Sequence, residues 1–451
     1  MALGGKSLGV MVAAIVVVAV IAGVAGYYMA PRGVGLEESY DEGYQKGLVE
    51  GKYPNGVLKV GMLGPLTGAL ASEGEAFDMG AEWAVEEINA LGGVCGYKLE
   101  LVKGDTEDFE PAKVTTLIEK MVHDDGVAAI FCGYGSQALV EYDSCAEYDM
   151  IYFIGADWMS TQEKFAEDPE KYKTCFNIVT SYMPYRYHLP ETFDRWVREG
   201  TIEVINKKVA IIYSDNYYSS WIGEGLKENF EKLGWEITLW EMVPFGTVTE
   251  WGPMLAKIRS NPPALIINTD YIPSNEAAFV EQFLENPTKS HMFIQYGPST
   301  PEFVDLLGDK CTAVMYNSPN IGLYTSGNKL GEDLLQRGVD RFGFEPAGYC
   351  FTVYQEIWLY KQACELAQIE YGADPAGGPE DRVLIAKTLA EKSAFMGMGT
   401  PMIFDETNCL DGRYAIPTIY QLWEGKRFTV EPEKFANSVA RMPPWWEEGT
   451  S

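Results

Sequence analysis

The chain has 451 residues, of which 47% are apolar and 22% charged, a balance that supports buried cores and excludes wholesale disorder. Its 65 acidic residues outweigh 35 basic ones, for a net charge of −30. That argues against nucleic acid as a partner, because phosphate contacts need a basic face.

The length exceeds one ordinary core and predicts two lobes. His123, His188 and His291 stand far apart, which gives a histidine metal site little support, and no metal site is expected. The eight cysteines form no CxxC pair. In an exported chain their even number permits up to four disulfides, whose connectivity the spacing does not define.

Lys6 precedes an uncharged run from Leu8 to Ala30, long enough as a helix to span a bilayer. Gly23-Val-Ala25 also suits a signal peptidase, so residues 1–30 read as a membrane anchor or a cleaved signal. The basic residue before the run places the remainder outside the cytoplasm. Residues 31–56 lack a sustained apolar period and read as a tether.

From Val57 strands and helices alternate. Val57 to Leu63 is a strand, Gly64-Pro-Leu-Thr-Gly68 a turn, and Glu75 to Ala90 a helix that stops at Gly92-Gly93. Strand 97–103 and helix 111–124 follow. Val127 to Phe131 and Ile151 to Ile154 are then two apolar runs flanking a helix that ends near Tyr148. This βαβ unit puts the turns at Cys132 to Gln137 and at Gly155-Ala156-Asp157 at the carboxyl ends of parallel strands, where open α/β sheets hold ligands.

The pattern restarts after residue 182. Strands are expected at Lys208 to Tyr213, Trp235 to Trp240, Ala264 to Asn268 and His291 to Ile294, with helices at Trp221 to Leu233, Pro253 to Ser260 and Asn275 to Glu285. A long helix at Tyr349 to Tyr371 and strands at Pro401 to Phe404 and Thr418 to Trp423 complete the chain. The fold class is therefore α/β, with two doubly wound parallel-sheet lobes after one N-terminal hydrophobic helix. About three crossovers, near 177–184, 314–319 and 398–404, would make a hinged clamshell with its ligand between the lobes. The division is 57–182 with 317–398 for the first lobe and 183–316 with 399–435 for the second, leaving 436–451 as a tail.

Gly64-Pro-Leu-Thr-Gly68, Gly74, Gly80, Ala84-Val-Glu-Glu-Ile-Asn-Ala90, Gly92-Gly93, Gly96 and Leu99-Glu-Leu-Val102 with Asp105 resemble the opening of the type I periplasmic solute-binding proteins. The leucine/isoleucine/valine-binding group and its amide- and urea-binding relatives are the nearest branch. The resemblance spans roughly residues 57–430. It implies a monomeric, non-enzymatic receptor without a cofactor, which delivers a small molecule to an ABC permease.

In amino-acid-binding members a ligand's α-carboxylate is held by a serine and backbone amides at the turn matching Gly135-Ser136, and by the turn matching Gly155-Ala156-Asp157. Backbone N–H groups at a helix start suit that task. A second-lobe tyrosine matches Tyr271. Three departures affect the ligand: Asp157 replaces a usual threonine, Tyr296-Gly297 stand where an ammonium-binding glutamate is expected, and Glu73 lies near a usually aromatic position. A hydrophobic amino acid is favoured, with Asp157 or Glu73 taking the amine. The alternative is an amide, urea-like or aromatic compound stacked among Tyr134, Trp158, Tyr185, Trp221, Tyr271 and Tyr296.

Other chemistries have weaker support. Gly133-Tyr-Gly135-Ser-Gln-Ala138 matches a dinucleotide fingerprint on paper, with Asp157 near the next strand's end. An extracytoplasmic NAD enzyme would be unusual. The turn is not GxSxG, and Cys132 and Ser136 have no histidine nearby in sequence, so no catalytic residue is assigned. A cell-surface sensor on the same clamshell is the other non-enzymatic reading, and it would call for an output domain that the sequence does not indicate.

Overall fold

The computed structural model describes residues 53–136, 138–155, 158–179, 183–317, 329–392, 402–411 and 418–446. The hydrophobic run of residues 1–30 and most of the tether lie outside these residues. Among the described residues no helix is long and apolar enough to cross a membrane. The last residues of the expected tether belong to the fold, because the Tyr53 hydroxyl donates to the Asn89 carbonyl at 2.6 Å.

The first sheet is built from β1 (Gly56–Gly64), β2 (Tyr97–Asp105), β3 (Ala129–Cys132), β4 (Ile151–Ile154) and β5 (Cys175–Asn177) in the order β2-β1-β3-β4-β5. All pairs are parallel. Strands β3 and β4 are buried at every position, which is why they read as unbroken apolar runs. Strand β2 lies at the edge and is half-exposed.

Helix α1 (Ala71–Ala90) joins β1 to β2, and α2 (Pro111–Lys120) follows β2. Helix α2 was expected to run to residue 124, but Met121–Asp125 form a π-turn closed by Gly126 at φ +66°. Helices α3 (Val140–Ala146) and α4 (Trp158–Glu167) complete this half, before α5 (Met183–Glu199) opens the second.

The second sheet contains β6 (Lys208–Ser214), β7 (Glu236–Val243), β8 (Leu265–Asn268), β9 (His291–Ile294), β10 (Met315–Asn317), β11 (Ile419–Trp423) and β12 (Lys426–Glu431). Its order is β12-β11-β10-β9-β8-β6-β7, parallel except around β11, which runs antiparallel to both neighbours. Helices α6 (Tyr217–Lys232), α7 (Gly252–Ser260), α8 (Pro273–Leu284) and α9 (Pro301–Leu307) connect its parallel strands. Segment 402–404, expected as part of a strand, is not a strand of either sheet; Phe404 makes an isolated bridge to Leu410.

Three late helices follow β10: α10 (Lys329–Phe342), α11 (Gly348–Tyr371) and α12 (Pro379–Lys392). They pack on the first lobe, with α11 against β3. Trp83 of α1 meets Tyr354 of α11 at 4.6 Å between ring centroids. The Glu87 carboxylate accepts from Trp83 Nε1 at 2.7 Å and from the Tyr354 hydroxyl at 2.5 Å, and pairs with Arg337 of α10. Arg382 of α12 donates to the Tyr148 and Asp149 carbonyls beyond α3. The chain then returns to the second sheet past β5, with Asn177 N–H on the Asn408 carbonyl and Leu410 N–H on the Asn177 carbonyl, each at 2.9 Å.

The possibility of disulfides is corrected: all eight cysteines are free, and seven are buried. They act as small apolar side chains in the cores, and burial raises thiols such as Cys175 and Cys350 above the usual range. Near the carboxyl end Trp445 is buried and donates Nε1–H to the Ser290 carbonyl at 3.1 Å, which ties this segment to the second lobe.

Two helices meet closely at Gly80. A Cβ built there would lie 2.0 Å from the Cys350 carbonyl oxygen, so α1 and α11 touch backbone to backbone. Gly80→Ala is expected to push them apart and destabilise the protein by about 1–3 kcal/mol. A urea midpoint equal to that of the unaltered protein would disprove the contact.

Candidate functional site

Both sheets have their first topological switch between the first strand and its two neighbours, β1 between β2 and β3, and β6 between β7 and β8. Ligands of open α/β sheets bind beyond the strand ends there. The loops after β1, β3 and β4 face those after β6, β8 and β9 across a cavity of about 310 Å³. Of the expected site residues, Tyr134, Gly135, Ser136, Gly155, Tyr271 and Tyr296 line it.

Ala156, Asp157 and the Trp158 side chain lie outside the described residues. Trp221 is placed elsewhere: the Arg186 guanidinium sits 4.5 Å from its ring centroid, on the face of α6 that meets α5. Glu73, on the first turn of α1, is fully buried behind the lining rather than in it.

Aromatic rings dominate the cavity and form a continuous belt. Phe109 lies 5.1 Å from Tyr134, which lies 5.1 Å from Tyr349. Tyr349 meets Tyr296 at 5.3 Å, and this pair carries the belt from α11 to the loop after β9. Tyr218 follows at 6.4 Å, then Tyr271 at 5.5 Å and Phe245 at 5.6 Å. Tyr349, Tyr218, Phe109 and Phe245 were not singled out from sequence. Tyr349 opens a helix far from any strand-end turn of the first lobe, so only the tertiary fold brings it here.

Local backbone fixes Tyr296. Its φ of +83° and ψ of −58°, with Gly297 N–H on the Gln295 carbonyl at 3.1 Å, define a γ-turn that bulky residues rarely occupy. The next position needs glycine, since a Cβ at Gly297 would fall 1.8 Å from Glu276 Oε2.

Ser136 is occupied by the protein itself. Its N–H donates to Glu141 Oε1 at 2.6 Å and its hydroxyl donates to Oε2 at 2.8 Å. Leu139, at φ +48°, reverses the chain so that the first turn of α3 folds Glu141 back onto that pair. Burial raises the Glu141 carboxyl above its ordinary range, and the Ser136 donors oppose the rise. The groups expected to receive a ligand's carboxylate therefore already hold one.

More carboxyl groups are buried behind the belt. Burial pushes Glu73 up to about 8, partly offset by the nearby Tyr134 hydroxyl. Burial raises Asp270 to about 6, although Asn275 Nδ2–H donates to its Oδ2 at 2.8 Å. Glu276 is raised well above the carboxylate range by burial and then by Asp270. Among the described lining residues there is no lysine, arginine or histidine, and Asp108 supplies a carboxylate at the rim.

A family model for periplasmic binding proteins matches residues 57–419. Leu/Ile/Val-binding protein homolog 7 of Brucella abortus (strain 2308) is 25% identical over 398 residues, covering 86% of this chain and 94% of that protein. An amino acid binding protein of Pseudomonas aeruginosa is 25% identical over 310 residues, 66% of this chain and 75% of its own. A crystal structure from Silicibacter pomeroyi, of a candidate branched-chain amino acid ABC transporter protein, matches with TM-score 0.73 and 26% identity, over 86% of this chain and 100% of that one. The branched-chain amino acid transporter substrate-binding protein of Streptococcus pneumoniae, solved with isoleucine, has TM-score 0.66 and 20% identity over 83% of this chain and 100% of that one, a likeness of fold. These relatives are named as binding proteins or transporters, not as enzymes.

Glu73 keeps its proton in the folded protein up to about pH 8 but would release it near the ordinary glutamate value of 4.5 once exposed. The folded state thus binds more protons between these values, and stability falls as pH rises through the window, by roughly 2–3 kcal/mol near neutrality. Glu73→Gln mimics the protonated acid. Its melting temperature is expected to exceed that of the unaltered protein at pH 8 and to converge with it at pH 4; a variant less stable at pH 8 would refute the assignment.

Proposed function

The chain belongs to the periplasmic binding protein family, and on that premise we propose that it is an extracytoplasmic solute receptor of an ABC importer. The observation that carries this reading is the cavity between two strand-end loop clusters, with rings contributed from both sides and joined at Tyr296 and Tyr349. A solute there touches both lobes at once, so it stabilises the closed arrangement over the open one, and a permease that reads only the closed form receives loaded receptor. No chemical step is needed. In this reading 57–182 with 317–398 and 183–316 with 399–435 are the moving lobes, residues 1–30 secure or export the monomeric receptor, and the solute meets it outside the cytoplasmic membrane.

A branched-chain or other hydrophobic amino acid is the solute that the relatives' names favour. Its α-carboxylate would have to take Ser136 from Glu141. An aromatic or amide-like solute requires no such exchange and gains from the rings. A sensor without transport would close in the same way, and cellular uptake separates the two roles.

Melting curves recorded with amino acids, amides, urea and aromatic acids should show at least one solute raising the transition, by about 2.7 kcal/mol in stability at one hundred times its Kd. Tyr271→Ala should weaken that solute's binding by about 1–2 kcal/mol. Deleting the gene should abolish high-affinity uptake of the same solute. Binding that survives loss of the cleft rings would refute the site, and unchanged uptake would favour the sensor.

A further inference from the structure

We infer that this cleft is built for a small organic cation without a carboxylate group, which its tyrosines surround while Glu141 closes the anion-receiving turn. The inference rests on the receptor reading above and names the class of solute. Three observations carry it.

The first is the bidentate hold of Ser136 on Glu141, 2.6 Å from the amide and 2.8 Å from the hydroxyl. An incoming carboxylate would meet a carboxylate at the place where it needs donors. Displacing Glu141 would leave that side chain buried without them, a heavy penalty for a polar group. A solute with no acidic group avoids this conflict.

The second is the composition of the walls. With no lysine, arginine or histidine among the described lining residues, a solute anion has no counter-charge. Tyr134, Tyr349, Tyr296, Tyr218 and Tyr271 instead present ring faces and edges from both sides of the cavity. Aromatic enclosures attract ammonium groups through the negative faces of the rings, most strongly where water is excluded.

The third is what lies behind the rings. Glu73 and Glu276 are fully buried, and their four carboxylate oxygens meet no well-aligned hydrogen-bond donor among the described residues. Glu73 lies beside Tyr134, and Glu276 lies against Gly297, next to Tyr296. Both acids are held protonated by burial, and a cation near Tyr134 and Tyr296 would draw them toward their ionised forms, with the Asp108 carboxylate already in the lining. Acidic groups in a walled cavity favour a positive guest and disfavour a negative one.

Calorimetric titration of the full chain with two matched pairs tests this. Choline and 3,3-dimethylbutan-1-ol have similar shapes and differ in charge, whereas 3-methylbutan-1-amine is leucine without its carboxylate. Each cation is expected to bind at least ten-fold more tightly than its counterpart. Leucine or the alcohol binding as tightly as its partner, or a panel in which none of the four binds, would overturn the cation assignment while leaving the receptor reading intact; that reading falls only if the wider melting screen is silent as well. Glu141→Ala should raise leucine affinity at least ten-fold relative to 3-methylbutan-1-amine by freeing Ser136, whereas Glu141→Gln, whose amide can still occupy Ser136, should leave the ratio nearer that of the unaltered protein. An unchanged ratio in a cooperatively melting Glu141→Ala variant would overturn the role given to Glu141.

Discussion

The contact of α1 with α11 at Gly80 is the constraint from which the cleft follows. Backbone meets backbone there because glycine leaves no side chain between the helices, and the closeness fixes how deeply α11 sits on the first sheet. At that depth Thr352 packs against Gly155, Glu356 lies near the Cys132 backbone, and Tyr349 meets Tyr134 in the cavity. A segment made after the whole parallel part of the second sheet thus completes the first lobe. Such long-range closure slows folding, since loop entropy is spent before the contacts form.

Electrostatics gives the cleft its second constraint. Glu73, Glu276, Glu141 and Glu356 are all completely buried, and burial shifts each toward its protonated form. A protein of net charge −30 gains nothing in stability from further buried acids. Their cost is easier to understand as a property of the site, where stability is commonly given up for pre-set polarity. The neighbouring apolar strands and tightly packed helices supply the compensating burial.

Legibility in the sequence followed burial. Strands β3, β4, β8 and β9 are covered on both faces, so their apolar runs stand out without knowledge of the fold, and the strand-end turns at Tyr134 to Ser136 and at Tyr271 could be read from them. Helix α5 carries Pro190 in its interior, which hides its helical signal in the sequence. Strand β12, Lys-Arg-Phe-Thr-Val-Glu, alternates poorly and is an edge, so it escaped as well. Within the site, Tyr349 had no local signal. Glu141 had none either, because it stands five residues after Ser136, outside the three-residue spacing of a capping box. Trp221 carries aromatic character near a strand end, yet Arg186 covers its ring on the face of α6 toward α5.

Tyr296 holds a backbone conformation that the unfolded chain seldom visits, locked by the Gln295 carbonyl and by Glu276 against Gly297. Its ring is therefore set before any solute arrives, and binding need not spend free energy ordering it. A ring so fixed can reject as well as accept: it leaves little freedom to reshape around a solute that is too bulky or bent the wrong way. Discrimination at this point would be exercised by rigidity, through the shapes the γ-turn does not allow the wall to take.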